Sequence, residues 1–276
     1  IGPSGGPTGA TGPTGPSYFT QSGGNLYYTG NMGITGNLDI NGNLGVTGTA
    51  TFSNDISVNS LTVGKGGGNI STNTAVGYQT LNAGTTGYNN TAIGYQALKS
   101  NTIGTSNTAV GKNALLNNTT GANNTALGAG ALYSNTFGVN NTAVGQSVLS
   151  KNISGYSNVA VGNASLFTNT TGASNTAVGL EALYSNTTGY YNTAVGPIAL
   201  YNNTTGVQNT ALGPLALYNN TTGANNTAVG FEALYSNNTG ANNTAIGLQA
   251  LYNNTSGYNN TAVGPNALYS NTIGVN

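Results

Sequence analysis

Residues 192–208 read NTAVGPIALYNNTTGVQ, and residues 209–225 read NTALGPLALYNNTTGAN. The second stretch is the first displaced by one unit of 17 residues. The unit recurs without a slip in both directions, starting at Asn73, Asn90, Asn107, Asn124, Asn141, Asn158, Asn175, Asn192, Asn209, Asn226, Asn243 and Asn260. A fixed short period means one structural unit stacked on copies of itself. Its consensus is NTAVGxxALYxNTTGxN. Position three is always Ala, from Ala75 to Ala262, and position four is always aliphatic, as in Val76, Ile93, Leu127 and Val263. Positions five and fifteen are always Gly, and position nine is always Leu, from Leu81 to Leu268.

Two fixed glycines in so short a unit predict two short strands joined by two turns, since glycine suits turns and close backbone approach. A helical hairpin needs more residues, and Thr and Val beside Asn and Gly form poor helices. The fold class is therefore all-β: a parallel β-solenoid, or β-roll, of twelve coils over residues 73–276. Twelve coils at strand spacing make a stack of roughly 57 Å. So polar a composition also suits disordered low-complexity sequence, but the strict apolar register argues against it.

Side chains alternate across a strand, so Ala at position three and its aliphatic neighbour point to opposite faces. Both are restricted, which predicts a strand buried on both sides. The expected arrangement puts the aliphatic residue and the Leu in the core of each chain, with Ala kept small where other chains approach. That makes the solenoid an oligomer. In the second expected strand Leu points inward while positions eight and ten share the other face. Position ten carries Tyr133, Tyr184, Tyr201, Tyr218, Tyr235, Tyr252 and Tyr269, with Phe167 in one coil. Identical residues at strand spacing form ladders, and aromatic and Asn ladders are favourable. The Asn column at position twelve, Asn101 through Asn271, fits the same scheme.

Composition narrows function. Charged residues make up 3% of the chain and the formal net charge is zero, so nothing attracts nucleic acid or an anionic membrane. Lys65, Lys99, Lys112 and Lys151 do not cluster. No apolar run is long enough for membrane insertion, and no signal peptide is visible. The first residue falls inside a repeat and the last copy has no capping sequence, so the stretch reads as part of something longer.

The N-terminal segments have other periods. Residues 1–17 place glycine at Gly6, Gly9, Gly12 and Gly15, with Pro7, Pro13 and Pro16 in the second triplet position. This is the collagen pattern, in which only Gly fits the axis of three wound chains, and it predicts a trimer. A flexible Pro/Gly linker is the alternative. Residues 18–29 are a transition with some strand. Residues 30–64 repeat every six, with apolar pairs such as Met32 and Ile34, Leu38 and Ile40, and Leu44 and Val46. Hexads suit a triangular β-prism, and the preceding triple helix favours three chains wrapped into a triple β-helix. Residues 65–72, beginning GKGGG after Gly64, lack the spacing of a phosphate loop and read as a flexible joint.

With no His and no Cys, nucleophile–His pairs and metal-ligand sets cannot be assembled, and no catalytic, cofactor or metal residue is expected. Glu181 and Glu232 share a column three coils apart, about 14 Å at strand spacing, against about 10 Å or less for a glycosidase pair. Sequons such as Asn89-Asn90-Thr91 and Asn117-Asn118-Thr119, and Thr in the third collagen position, are formal glycan sites. The repeat produces the sequons in any case.

The strand NTAVG at residues 192–196 resembles the coil motif of trimeric autotransporter adhesin heads, which are left-handed β-rolls of three chains. The 17-residue coil is longer than theirs, so turn geometry does not carry over. The order of segments is more similar to phage and viral tail-fibre-like proteins, where GNLxVxG hexads pass through a stretch like LTVGKGGGNISTNTAVG (residues 61–77) into NTAVGxxALxxNTTG repeats. GPTGATGPTGP also resembles spore-surface and giant-virus collagen-like proteins. The resemblance implies an extracellular homotrimeric fibre on a virion, cell or spore surface, with no cofactor and itself as main partner. An adhesin touching surface glycans through the Tyr column is the second expectation. Ice binding through Thr rows is a third and weaker one, since no flat Thr-x-Thr face is evident.

Overall fold

The computed structural model describes residues 19–22, 25–28, 56–58 and 61–275, and the chain divides into two compact units, residues 1–51 and 52–276. In the first, β1 (Phe19–Ser22) and β2 (Asn25–Tyr28) pair antiparallel, from Phe19 opposite Tyr28 to Ser22 opposite Asn25. The expected collagen-like segment and most of the expected hexad prism lie outside the described residues.

The second unit is a solenoid. It opens with β3 (Ile56–Val58) and β4 (Leu61–Gly64), antiparallel to each other. β4 then pairs antiparallel with β5 (Thr74–Gly77), the strand of the first coil. One parallel strand per coil follows: β6 (Thr91–Ile93), β7 (Thr108–Val110), β8 (Thr125–Leu127), β9 (Thr142–Val144), β10 (Val159–Val161) and β11 (Thr176–Val178). The series continues through β12 (Thr193–Val195), β13 (Thr210–Leu212), β14 (Thr227–Val229), β15 (Thr244–Ile246) and β16 (Thr261–Val263). Register is strict, with Ala opposite Ala at each step, as Ala177, Ala194 and Ala211. Residues 65–72, expected to be a joint, cross the end of the first coil instead. Gly67 donates its N–H to the Leu81 carbonyl at 2.8 Å, and a Cβ on Gly66 would stand 2.6 Å from that of Leu81. Glycine is required there by close approach.

Two expectations about the coil are corrected. The first concerns the faces of the strand. Ala194 is fully buried inside its own chain, while Val195 is 39% exposed on the outer surface. The core section of one coil holds the Ala of position three, the Ala of position eight and the Leu of position nine (Ala194, Ala199 and Leu200, all 0% exposed). So narrow a section takes one γ-branched side chain and two methyl groups. Ala194 belongs to the same buried cluster as Leu200 and has no exposed surface left into which a larger side chain could extend. Ala is small because of its own coil, with no second chain needed to explain it.

The second correction is that each coil has one strand. Ala199 and Leu200 are consecutive and both point inward, which a pleated strand cannot do. The chain manages it with backbone of alternating handedness: φ is +135° at Gly196, +60° at Ile198 and +52° at Leu200. All twelve Leu residues of position nine lie in the left-handed region. That costs about 1–2 kcal/mol for each L-residue, against roughly 1.5–3 kcal/mol for burying a Leu. The inter-coil hydrogen bonds continue through the arc. Gly196 and Ile198 donate back to Val178 and Leu180, while Leu200 and Asn202 donate forward to Ala216 and Tyr218.

Two Asn columns line the remainder of the interior. At position one, Asn192 donates its backbone N–H (3.0 Å) and its Nδ2 (3.2 Å) to Asn175 Oδ1 one coil back. At position twelve, Asn203 Nδ2 donates to Asn186 Oδ1 at 2.8 Å. Each buried amide is satisfied by its copy on the next coil, so the solenoid needs no apolar substitute for these polar groups.

Candidate functional site

The position-ten column forms on the surface as the sequence suggests. Phe167, Tyr184, Tyr201, Tyr218, Tyr235, Tyr252 and Tyr269 stack with centroids 5.2, 5.1, 5.6, 5.2, 5.1 and 5.0 Å apart and planes within 18°. The coil repeat sets this spacing, and offset stacking stabilises each neighbouring pair. Tyr133 is not brought into the stack, because Ser150 occupies the intervening coil. Lys151 Nζ lies 5.1 Å from the centre of the Phe167 ring and closes that end with a cation–π contact.

Beside the stack, Ser185, Asn202, Asn219 and Ser236 of position eleven and Thr204, Thr221, Asn238 and Thr255 of position thirteen line an open groove of about 550 Å³. Asn203 and its copies lie beneath, wholly buried. Ring faces are taken up by neighbouring rings, so the stack offers mostly edges and hydroxyls outward. Desolvation by partial burial raises the pKa of Tyr201 above its ordinary value, with smaller contributions from Glu181, Tyr184 and Tyr218. Tyr252 is raised likewise, first by burial and then by Glu232, Tyr235 and Tyr269. Both hydroxyls stay protonated donors at neutral pH.

The acidic residues among those described, Glu181 and Glu232, do not converge. Glu181 and Glu232 keep to one column three coils apart, and Glu232 Oε2 accepts a hydrogen bond from Gln249 Nε2 at 2.7 Å. Among the described residues no three His, Cys, Asp or Glu side chains gather into a metal site. Nor is any helix among them long and apolar enough to cross a membrane. The sequon acceptors Asn89 and Asn117 are exposed, while the buried ladder residues are their neighbours Asn90 and Asn118.

The sequence reading missed a second surface feature. Tyr156 and Tyr190 occupy position sixteen two coils apart, and Ala173 stands between them. With Thr171, Ser174, Thr188 and Tyr191 they line a cavity of about 300 Å³. Tyr191 packs edge-on against Tyr190, at 5.4 Å and 78°. Its φ is +56°, where the same position elsewhere holds Asn, Ser or Gln. The signal was available: Tyr190-Tyr191 is the only place where positions sixteen and seventeen are both aromatic. No protein-family model, curated protein or solved structure matches the chain.

Proposed function

We propose that this chain is a non-enzymatic structural shaft, one of three copies in an extracellular fibre projecting from a virion or from a cell or spore surface. One observation carries the reading: the position-four column. Its twelve residues, Val76 to Val263, are aliphatic in every coil, yet they stand on the outer face of the sheet. Ile93, Val195, Leu212 and Ile246 are 38–41% exposed there. A narrow apolar stripe repeated at strand spacing is a surface suited to association. A strand restricted on both faces still argues for burial on both, with the two columns exchanged: Ala faces the chain's own core and the aliphatic column faces another copy. The number three comes from the Gly-x-y run of residues 6–17, a pattern made by three chains. The ladders support a mechanical role, because every coil is tied to the next through buried amides.

Sedimentation equilibrium of the chain tests this. A mass of three copies is expected, and the double substitution Val195→Lys, Leu212→Lys should yield a monomer with an unchanged circular dichroism spectrum. A stable monomer of the unsubstituted chain would overturn the assembly.

A second reading, adhesion to surface glycans, is favoured by the Tyr stack with its hydroxyl-lined groove. It predicts that glycan-array binding is lost when Tyr201, Tyr218 and Tyr235 are replaced by Ser. Binding that survives the triple replacement removes the ladder from consideration.

A further inference from the structure

From the missing rung between Tyr156 and Tyr190, we infer that this gap is a binding slot for one pyranose ring of a neutral oligosaccharide. Aromatic rings on successive coils of this protein stack at 5.0–5.6 Å, which fills the space between them completely. Two coil steps separate Tyr156 from Tyr190, about 9.6 Å at strand spacing. Ala173, 8% exposed, gives the floor between them only a methyl group. The opening therefore has the thickness of one ring, with an aromatic side chain on either side.

The surroundings specify the chemistry of that ring. Thr171, Ser174 and Thr188 bring hydroxyls to the slot, and no charged side chain lines it. A ligand with apolar faces and hydroxylated edges, and without charge, fits this lining. A pyranose has that form. Tyr191 closes one side, and its backbone N–H is fixed to the floor by donating to the Ala173 carbonyl at 3.1 Å. A tyrosine is held there at φ +56° and 61% exposure, where Asn, Ser or Gln serves in the other coils. Position seventeen takes this left-handed φ in the other described coils as well, so what sets this coil apart is the exposed aromatic side chain placed beside the cavity. The position-ten column is also interrupted once, at Ser150 between Tyr133 and Phe167, but there Lys151 Nζ already lies over the Phe167 ring at 5.1 Å, whereas no charged side chain lines the slot at Ala173.

The inference shares its ligand class with the adhesion reading but assigns a different address, and it does not depend on trimer formation. Saturation-transfer NMR on the full chain, with lactose, maltotriose and triacetylchitotriose as probes, tests it. At least one probe should receive saturation from tyrosine ring protons at millimolar concentration. Ala173→Tyr restores the rung and should reduce binding at least tenfold; the fold tolerates Tyr at this position in Tyr156, Tyr190 and Tyr258. Tyr190→Ala, which removes one wall, should do the same without adding bulk. Undiminished binding by both variants, or no transfer to any probe, would overturn the slot. If binding is instead lost only on replacing Tyr201, Tyr218 and Tyr235 by Ser, the slot falls while adhesion through the ladder stands.

Discussion

Asn192 and Asn203 share one acceptor. Their side-chain amides both donate to the carbonyl of Gly206, at 2.8 and 3.0 Å. Position one and position twelve of the same coil thus meet at position fifteen, and the shared carbonyl clamps the coil closed. A side chain on Gly206 would strike Asn203 Oδ1 and approach the Gly223 carbonyl to 2.5 Å, which is why this position never varies. The columns along the stack and the clamp across each coil use the same two side chains.

Replacing Asn203 with Ala removes the donor to Gly206 and Asn186, and leaves Asn220 Nδ2 without its Oδ1 acceptor. A loss of about 1–3 kcal/mol is expected. Asn203→Asp should be worse near neutral pH, about 3–5 kcal/mol, because a buried carboxylate would face two carbonyl oxygens. The Asp deficit should shrink as pH falls, since a protonated carboxyl regains a donor. Urea unfolding followed by circular dichroism at pH 7 and pH 4 measures both effects.

Leu200 sits at φ +52° with no exposed surface. Leu200→Met conserves volume and should cost less than about 1.5 kcal/mol. Leu200→Ile conserves volume equally well but places a β-branch in left-handed backbone, and should cost more than the Met change. Ile198 does hold such a φ, but at a partly exposed position where its side chain is not enclosed. Equal midpoints for the two variants would contradict the alternating-handedness account of the arc.

Ala194→Leu should destabilise more than Pro197→Leu. Overpacking the fully buried Ala194 costs about 1–3 kcal/mol, whereas Pro197 is exposed. The penalty arises inside one chain, so it should persist when copies are dissociated by Val195→Lys, Leu212→Lys. Thermal unfolding of the dissociated background separates this from a penalty that belongs to the interface.

Tyr201 and Tyr252 have folded-state pKa values raised above that of an unfolded tyrosine. The folded chain therefore holds these protons more tightly than the unfolded one. Their contribution is fully present below about pH 10 and is lost as pH rises through the folded values. Ultraviolet titration of phenolate should lose its late-ionising component when Tyr201 and Tyr252 are both replaced by Phe, and unfolding of the parent chain should set in on the same alkaline side.

The repeat length, the stacking and the invariant Leu column were legible in the sequence because each reports what one coil demands of the next. Orientation within the coil was not. Val195 is more apolar than Ala194, so hydrophobicity alone puts it inside. What decides otherwise is the width of the core beside Leu200, which depends on the sign of φ at Gly196, Ile198 and Leu200. Only the first of these advertises itself by being glycine. Adjacent restricted residues, Ala199 and Leu200, were the overlooked sign that this arc is no strand. At the surface, a search for recurrence found the Tyr201 ladder and passed over Tyr156, Ala173 and Tyr190, whose meaning lies in a recurrence interrupted.

The hydrogen bonds leaving each coil run to its immediate neighbours, Asn192 to Asn175 and Leu200 to Ala216 among them. A chain end pulled away therefore peels the outermost winding first, because that winding is held by one neighbour and each inner winding by two. Single-molecule stretching should show a series of near-equal rupture peaks, each releasing up to about 60 Å of slack per 17-residue winding. The peak force should be the same however many windings remain.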